Sequence, residues 1–227
     1  MKYSAIITDI EGTTSRISFV TQVLFPYAAR ELPAFIRSHA TEAAVAEQLT
    51  ACRLLMQQAD ASLDDIISQL LQWIAADKKI TPLKALQGMV WQQGYQSGAF
   101  TGHVYQDAFD ALTQWQRSGI KLYVYSSGSV QAQQLLFKYS DFGDMTPLFS
   151  GYFDSRIGAK RDISSYAAIL QQLQLPPKQV LFLSDVVAEL DAAAALGIAT
   201  VQLIRDDQAA GNHSRAVSFA TVEDMMA

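Results

Sequence analysis

Cysteine is almost missing from this chain: Cys52 stands alone among 227 residues. An internal disulfide and a CxxC metal site both need paired thiols, so both are excluded, and a reducing, cytoplasmic setting is expected. Histidine is nearly as scarce, with His39, His103 and His213 scattered and none in an HxxxH spacing. They are read as surface or cap residues, not as a zinc site. Long apolar runs are missing too. Nowhere do roughly 18 apolar residues follow one another, so no membrane-spanning helix is expected. The opening MKYSAIITDIEG has one Lys and a short apolar run cut by Asp9 and Glu11, so no signal peptide is expected. Finally, positive charge is in deficit. Lys and Arg total 17 against 22 Asp and Glu, for a net −5, and no basic run breaks that balance. A nucleic-acid partner held by phosphate neutralisation is therefore not expected.

Hydrophobic residues, by contrast, make up 50% of the chain and charged ones only 17%, which excludes a disordered polyelectrolyte. A chain of this length buries roughly 70–75% of its unfolded surface on folding, enough for a core without staples. Residues 3–8, YSAIIT, read as a buried strand that ends in Asp-Ile-Glu-Gly-Thr-Thr. Helical patterns follow over 19–38 (interrupted at Pro26 and Pro33), 42–59, 63–77, 82–97 and 104–118. Ser62-x-x-Asp65 and Thr81-Pro82 supply start signals. From residue 120 strands and helices alternate. IKLYVYSS, GYFD, QVLFLSD and ATVQLI are strands, separated by helices over 129–140, 162–174 and 187–196, with a last helix over 221–226.

That alternation with short connections predicts a doubly wound parallel sheet, an α/β Rossmann-like core. The first strand has no partner nearby in sequence and must join the same sheet. The predicted organisation is therefore a catalytic core of residues 1–15 and 101–227, with a helical cap, 16–100, inserted after strand one. Cys52 lies in an apolar helical pattern and is read as core. Trp91, Tyr95 and Phe100 are read as the core of the cap.

Ligands of open α/β sheets bind outside the carboxyl ends of the strands. There the chain places Asp9, Glu11, Gly12 and Thr13, then Ser126-Ser127-Gly128-Ser129, then Ser184-Asp185 with Glu189 four residues on. Lys160 sits in the loop SRIGAKRD. Each has an ordinary structural reading: an Asp as a turn or cap residue, a Ser-Gly run as a loop, a Lys as a solvated side chain. Together they suit phosphoryl transfer. A carboxylate can attack phosphorus, and a hard cation takes one or two carboxylates, water and substrate phosphate. A hydroxyl, a lysine and backbone N–H groups near Gly12 and Gly128 can hold phosphate oxygens.

This set resembles the haloacid dehalogenase-like hydrolases, which carry Asp-x-Asp-x-Thr, a Ser or Thr, a Lys and a late acidic pair. Asp9, Thr13, Ser126, Lys160 and Asp185 match; Glu11 replaces the usual second Asp, and Glu189 the usual last one. DIEGTT, VYSSGSVQAQQLLF, the IGAK loop and FLSDVVAELDAA together resemble the enolase-phosphatases (acireductone synthases) of methionine salvage, from about residue 3 to 204. The resemblance implies an Mg2+-dependent phosphoric monoester hydrolase acting on a small phosphorylated diketone. It implies catalytic roles for Asp9 as nucleophile, Glu11 and Lys160, and a metal site of Asp9, Glu11 and Asp185. Substrate contacts would come from Ser126, Ser127, Gly128 and Lys160, with Glu189 supporting Asp185 or Lys160. A monomer is expected. An ordinary sugar-phosphate phosphatase is the alternative within the superfamily. A phospho-acceptor module, which also places an Asp beside Mg2+, is the alternative from another class, though it needs no such insertion.

Overall fold

The computed structural model describes residues 2–205 and 208–226. Contacts divide the chain into two compact units, one of Met1–Ile17 with Thr101–Ala227 and one of Ser18–Phe100.

The first unit holds a six-stranded sheet in the order β3-β2-β1-β4-β5-β6, and every pairing is parallel. The strands are β1 Ala5–Thr8, β2 Lys121–Tyr125, β3 Phe149–Phe153, β4 Val180–Ser184, β5 Ala199–Leu203 and β6 Ser214–Ala216. β1 runs between β2 and β4, with Ile7 opposite Tyr123 on one side and Phe182 on the other. Every residue of β1 and β4 is buried, as expected of central parallel strands covered on both faces. Side chains alternate across the sheet. Ala5, Ile7, Tyr125, Val180 and Phe182 pack with Tyr166, Ile169 and Leu190 in one cluster. These last come from α8 (Ile163–Leu173) and α9 (Val187–Ala194). The intervening Ile6, Leu122, Val124, Leu181 and Leu183 are buried on the opposite face. There α6 (Gln106–Arg117) contacts β2, and α10 (Phe219–Met226) contacts α6.

The expected and observed elements differ at several ends and in one strand. β1 begins at Ala5 instead of residue 3. β3 begins at Phe149, two residues before GYFD. α10 begins at Phe219 instead of 221, its first backbone N–H accepted by Asp107. Strand β6 has no counterpart in the sequence pattern. Its sequence, Ser-Arg-Ala, is too short and polar to show an alternation, and only Ala216 is buried.

The second unit is built of helices joined by short connections. α1 (Ile17–Phe19), which begins on the last residue of the first unit's opening segment, runs through a π turn, Val20–Leu24, into α2 (Phe25–His39); α3 (Ala43–Met56), α4 (Leu63–Ala75) and α5 (Thr81–Gln96) follow. The breaks expected at Pro26 and Pro33 do not occur. Pro26 lies in the first turn of α2, where the Phe25 N–H reaches back to Val20 and the wider π ladder precedes the ring. Pro33 lies inside α2. An interior proline costs about 3 kcal/mol, and here it is offset by the burial of Leu32, Phe35 and Ile36 around it. Ser62 and Asp65 form the expected reciprocal capping box of α4. Thr81 does not cap α5; the helix already includes it, and Ile80 precedes it without a side-chain bond. Cys52 is fully buried among Leu32, Leu49, Ile66, Leu70 and Leu86. Tyr95 is buried with its ring 4.6 Å from that of Phe100, and Trp91 donates from Nε1 to the Leu24 carbonyl at 2.8 Å.

Candidate active site at the carboxyl ends of the strands

In this strand order the connections turn in opposite directions on either side of β1 and β4, and a crevice opens at their carboxyl ends. Asp9 follows β1 directly and is 3% exposed. Its Oδ1 accepts the Ile10 N–H at 2.7 Å, and Thr14 Oγ1 donates to its carbonyl at 3.2 Å. The turn then tightens, with Gly12 at φ +76°, a conformation that side chains with a Cβ resist. A Cβ at Gly12 would also overlap the Asp185 carboxylate. Two reasons thus demand glycine there, one of conformation and one of space.

Lys160 enters the crevice from the loop before α8, with its side chain 6% exposed. Its Nζ lies 2.7 Å from Asp9 Oδ1 and 2.6 Å from Glu189 Oε2. Burial alone would lower the ammonium's pKa, but the charges of Asp9 and Glu189 more than offset this and raise it. Lys160 is therefore a fixed cation. Its loop is held by Tyr166, whose hydroxyl donates to the Lys160 carbonyl at 2.8 Å, and by Tyr125, whose hydroxyl donates to the Gly158 carbonyl at 3.0 Å. The Tyr125 ring also lies 5.9 Å from Nζ.

Glu11 meets Ser126, whose Oγ donates to Glu11 Oε2 at 3.2 Å and accepts the Gly128 N–H at 3.1 Å. Burial and the Asp9 charge raise the Glu11 pKa. Glu189 is raised by the same two causes. Ser184 donates to its Oε2 at 2.9 Å while accepting the Val186 N–H at 3.1 Å. Asp185 is pushed up to about 7, by burial first and by Asp9 second. Its Oδ1 is buried and has no hydrogen-bond partner.

The fold thus carries Asp9, Glu11, Ser126, Gly128, Lys160, Asp185 and Glu189, all singled out by sequence, to one end of one sheet. Ser127 follows Ser126 in the same loop and is exposed. Ser184, placed at its strand end by sequence without a role, also joins them, as do Tyr125 and Tyr166, which had not been singled out. Ser184 is visible beside Asp185 in the sequence, but the two tyrosines give only a core signal.

Lys160 pairs with Asp9 and Glu189, while Glu11, Asp185 and Glu189 are all raised, by burial first and by the Asp9 charge second. A buried carboxylate oxygen without a donor, beside a second carboxylate, suits a hard divalent cation. Among the described residues no three His, Cys, Asp or Glu side chains form a ready-made metal cage. Magnesium does not require one, since it keeps waters and takes phosphate oxygens.

Comparison with known proteins agrees with this chemistry. The model of the haloacid dehalogenase-like hydrolases matches residues 3–197. Enolase-phosphatase E1 of Pseudomonas syringae pv. syringae is 56% identical over 98% of this chain and 98% of its own. Enolase-phosphatase E1 of Azotobacter vinelandii is 54% identical over the same shares. The crystal structure of the UTR4 protein of Saccharomyces cerevisiae superimposes with a TM-score of 0.80 at 36% identity, covering 96% of this chain and 99% of that one. The chain belongs to the haloacid dehalogenase-like hydrolases and, within them, to the enolase-phosphatase E1 family.

Proposed function

We propose that this protein converts 2,3-diketo-5-methylthiopentyl 1-phosphate to 1,2-dihydroxy-3-keto-5-methylthiopentene and phosphate, enolising the diketone and then removing the phosphoryl group, as a cytoplasmic monomer in methionine salvage. The observation that carries the phosphatase reading is the buried Lys160, shared between Asp9 and Glu189, together with Asp185, whose Oδ1 is buried without a hydrogen-bond partner. The names of its relatives, Enolase-phosphatase E1, support the substrate.

In this reading Asp9 is the nucleophile. Lys160 Nζ and the Ile10 N–H both meet its Oδ1, which leaves Oδ2 to attack phosphorus. A bond forms from Oδ2 to phosphorus as the ester oxygen departs. Glu11, two residues on and oriented by Ser126, serves as the acid that protonates that oxygen. Water then cleaves the aspartyl phosphate and returns Asp9. Lys160 and the Ser127 hydroxyl hold the phosphoryl oxygens, joined by the Ser126 hydroxyl and the Gly128 N–H once substrate draws them from Glu11 and Ser126. Asp9, Asp185 and the Glu11 backbone carbonyl would hold Mg2+, which leaves the Glu11 side chain to act as the acid. When bound, the metal supplies the positive charge that offsets repulsion between the Asp9 carboxylate and a phosphate dianion.

The test is turnover of the diketone phosphate by the purified protein with Mg2+, followed by enol absorbance and released phosphate. Enol rising before phosphate is the expected result. Equal turnover of sugar phosphates with no enol signal would replace this reading with an ordinary phosphatase. A stable phosphorylated protein without turnover would replace it with a phospho-acceptor module.

A further inference from the structure

Two residues at the end of β5 reach the backbones of both acid-bearing loops. Gln202, in β5, is fully buried. Its Nε2 donates to the Asp185 carbonyl at 3.2 Å and to the Ala209 carbonyl at 2.9 Å, and its Oε1 accepts the Gly211 N–H at 2.8 Å. Arg205, two residues past β5, has a side chain 7% exposed. Its Nε donates to the Thr13 carbonyl at 3.0 Å and its Nη1 to Asp107 Oδ2 at 2.8 Å. The guanidinium lies 4.2 Å from the Tyr105 ring centroid and 5.4 Å from that of Phe219. Asp107 Oδ2 is fixed in turn by the Phe219 N–H at 2.7 Å. The Tyr105 N–H meets the Thr14 carbonyl at 2.9 Å.

We infer that Arg205 and Gln202 are positioning residues, which brace the Asp9–Thr13 turn and the Asp185 loop from one strand end and so set the spacing of the Asp9 and Asp185 carboxylates. The two loops abut where Gly12 meets Asp185, so they cannot move closer together. Inside the Asp9–Thr13 turn, the Thr13 and Ser15 N–H groups both return to the Ile10 carbonyl, at 3.1 and 2.9 Å. Those bonds shape the turn; the Asp9 N–H ties its start to the Leu183 carbonyl of β4 at 2.9 Å, and Arg205 ties its far end, at Thr13, to the end of β5. A lysine could keep the charge opposite Asp107, but it lacks the planar fork that serves Thr13 and Asp107 together. A carboxylate displaced by about 1 Å can cost about a hundredfold in rate.

The consequence for catalysis rests on the roles proposed above for Asp9 and Asp185; the brace itself does not. The experiment therefore has one arm independent of activity. Amide hydrogen exchange over residues 9–16 is measured without metal in the wild type, Arg205→Met, Arg205→Lys and Gln202→Leu. The same proteins are assayed for kcat, KM and the Mg2+ concentration giving half-maximal rate. Val222→Ala, which empties space under α10, serves as a destabilised control with matched loss of Tm. Arg205→Met should exchange about tenfold faster over 9–16 and lose about a hundredfold in kcat. Its demand for Mg2+ should rise while KM stays close to wild type. Arg205→Lys should recover part of both effects, and Gln202→Leu should raise the Mg2+ demand. Val222→Ala should change neither exchange over 9–16 nor kcat. Wild-type exchange and kcat in Arg205→Met would overturn the inference, as would the same losses in Val222→Ala. If Arg205→Met does not fold, Arg205→Lys decides by the same readouts. A wild type inactive on the diketone phosphate would instead strike the proposed function, leaving the exchange arm to judge the brace.

Discussion

The Asp185 carboxylate lies against Gly12, so close that a Cβ at residue 12 would overlap it. Backbone at φ +76° would strain an alanine there even in open space. Gly12→Ala should therefore push Asp185 from its place and reduce kcat by about a hundredfold, with a higher Mg2+ requirement. Steady-state kinetics over a metal titration check this. An unchanged metal requirement would show that Asp185 does not serve the ion.

Asp9→Asn should remove nearly all phosphate release while the fold survives, because a neutral amide is a poor nucleophile and a poor ligand. Chelation of Mg2+ from the wild type should do the same. Enolisation need not stop, so enol absorbance in Asp9→Asn separates the two half-reactions. Substantial phosphate release by this variant would move the nucleophile elsewhere.

Lys160→Ala should cost a few orders of magnitude in rate, since losing a charge partner of the transition state costs about 3–4 kcal/mol. It also leaves Asp9 and Glu189 facing each other without the ammonium that joins them. Lys160→Arg should restore only part, because a planar fork does not replace a point charge held between two carboxylates. The readout is kcat/KM for all three proteins.

His103 offers a test through pH. Its Nδ1 accepts the Arg16 N–H at 3.2 Å and faces Ser15 Oγ at 3.4 Å, with the Tyr105 ring beside it. Burial first, then Arg16 and Arg205, lower its pKa below 6.5, with Asp141 acting in the opposite sense. A histidine depressed in the folded state binds its proton more weakly there than in the unfolded chain. Stability from this site is thus intact above 6.5, falls as pH drops through that value, and levels off below the lowered folded pKa. Thermal melts of His103→Gln, which keeps an acceptor but does not titrate, should lose less Tm on acidification than the wild type. Parallel curves would remove His103 from the balance.

Much of the core is legible in the order of residues. The alternating elements after residue 120 and the apolar run of β1 predict the parallel sheet, because burial of a strand or helix face is written in local periodicity. The position of Asp9, Ser126 and Asp185 at strand ends follows from the same pattern. The prolines of α2 mislead because local propensity yields to a buried face, and β6 is invisible because three residues, two of them polar, carry no period.

What the amino-acid order determined alone, then, was the identity of the elements and the chemistry offered at their ends. Which ends meet was decided by the tertiary structure. Ser126 reaches Glu11 across 115 residues and Arg205 reaches Thr13 across 192. Lys160 became an internal cation instead of a solvated one because α8, β1 and α9 bring Asp9 and Glu189 to its ammonium. Sequence periodicity reports the burial of a face over a few residues, whereas these pairings depend on the order of strands in the sheet, and that order exists only once the chain has crossed and packed.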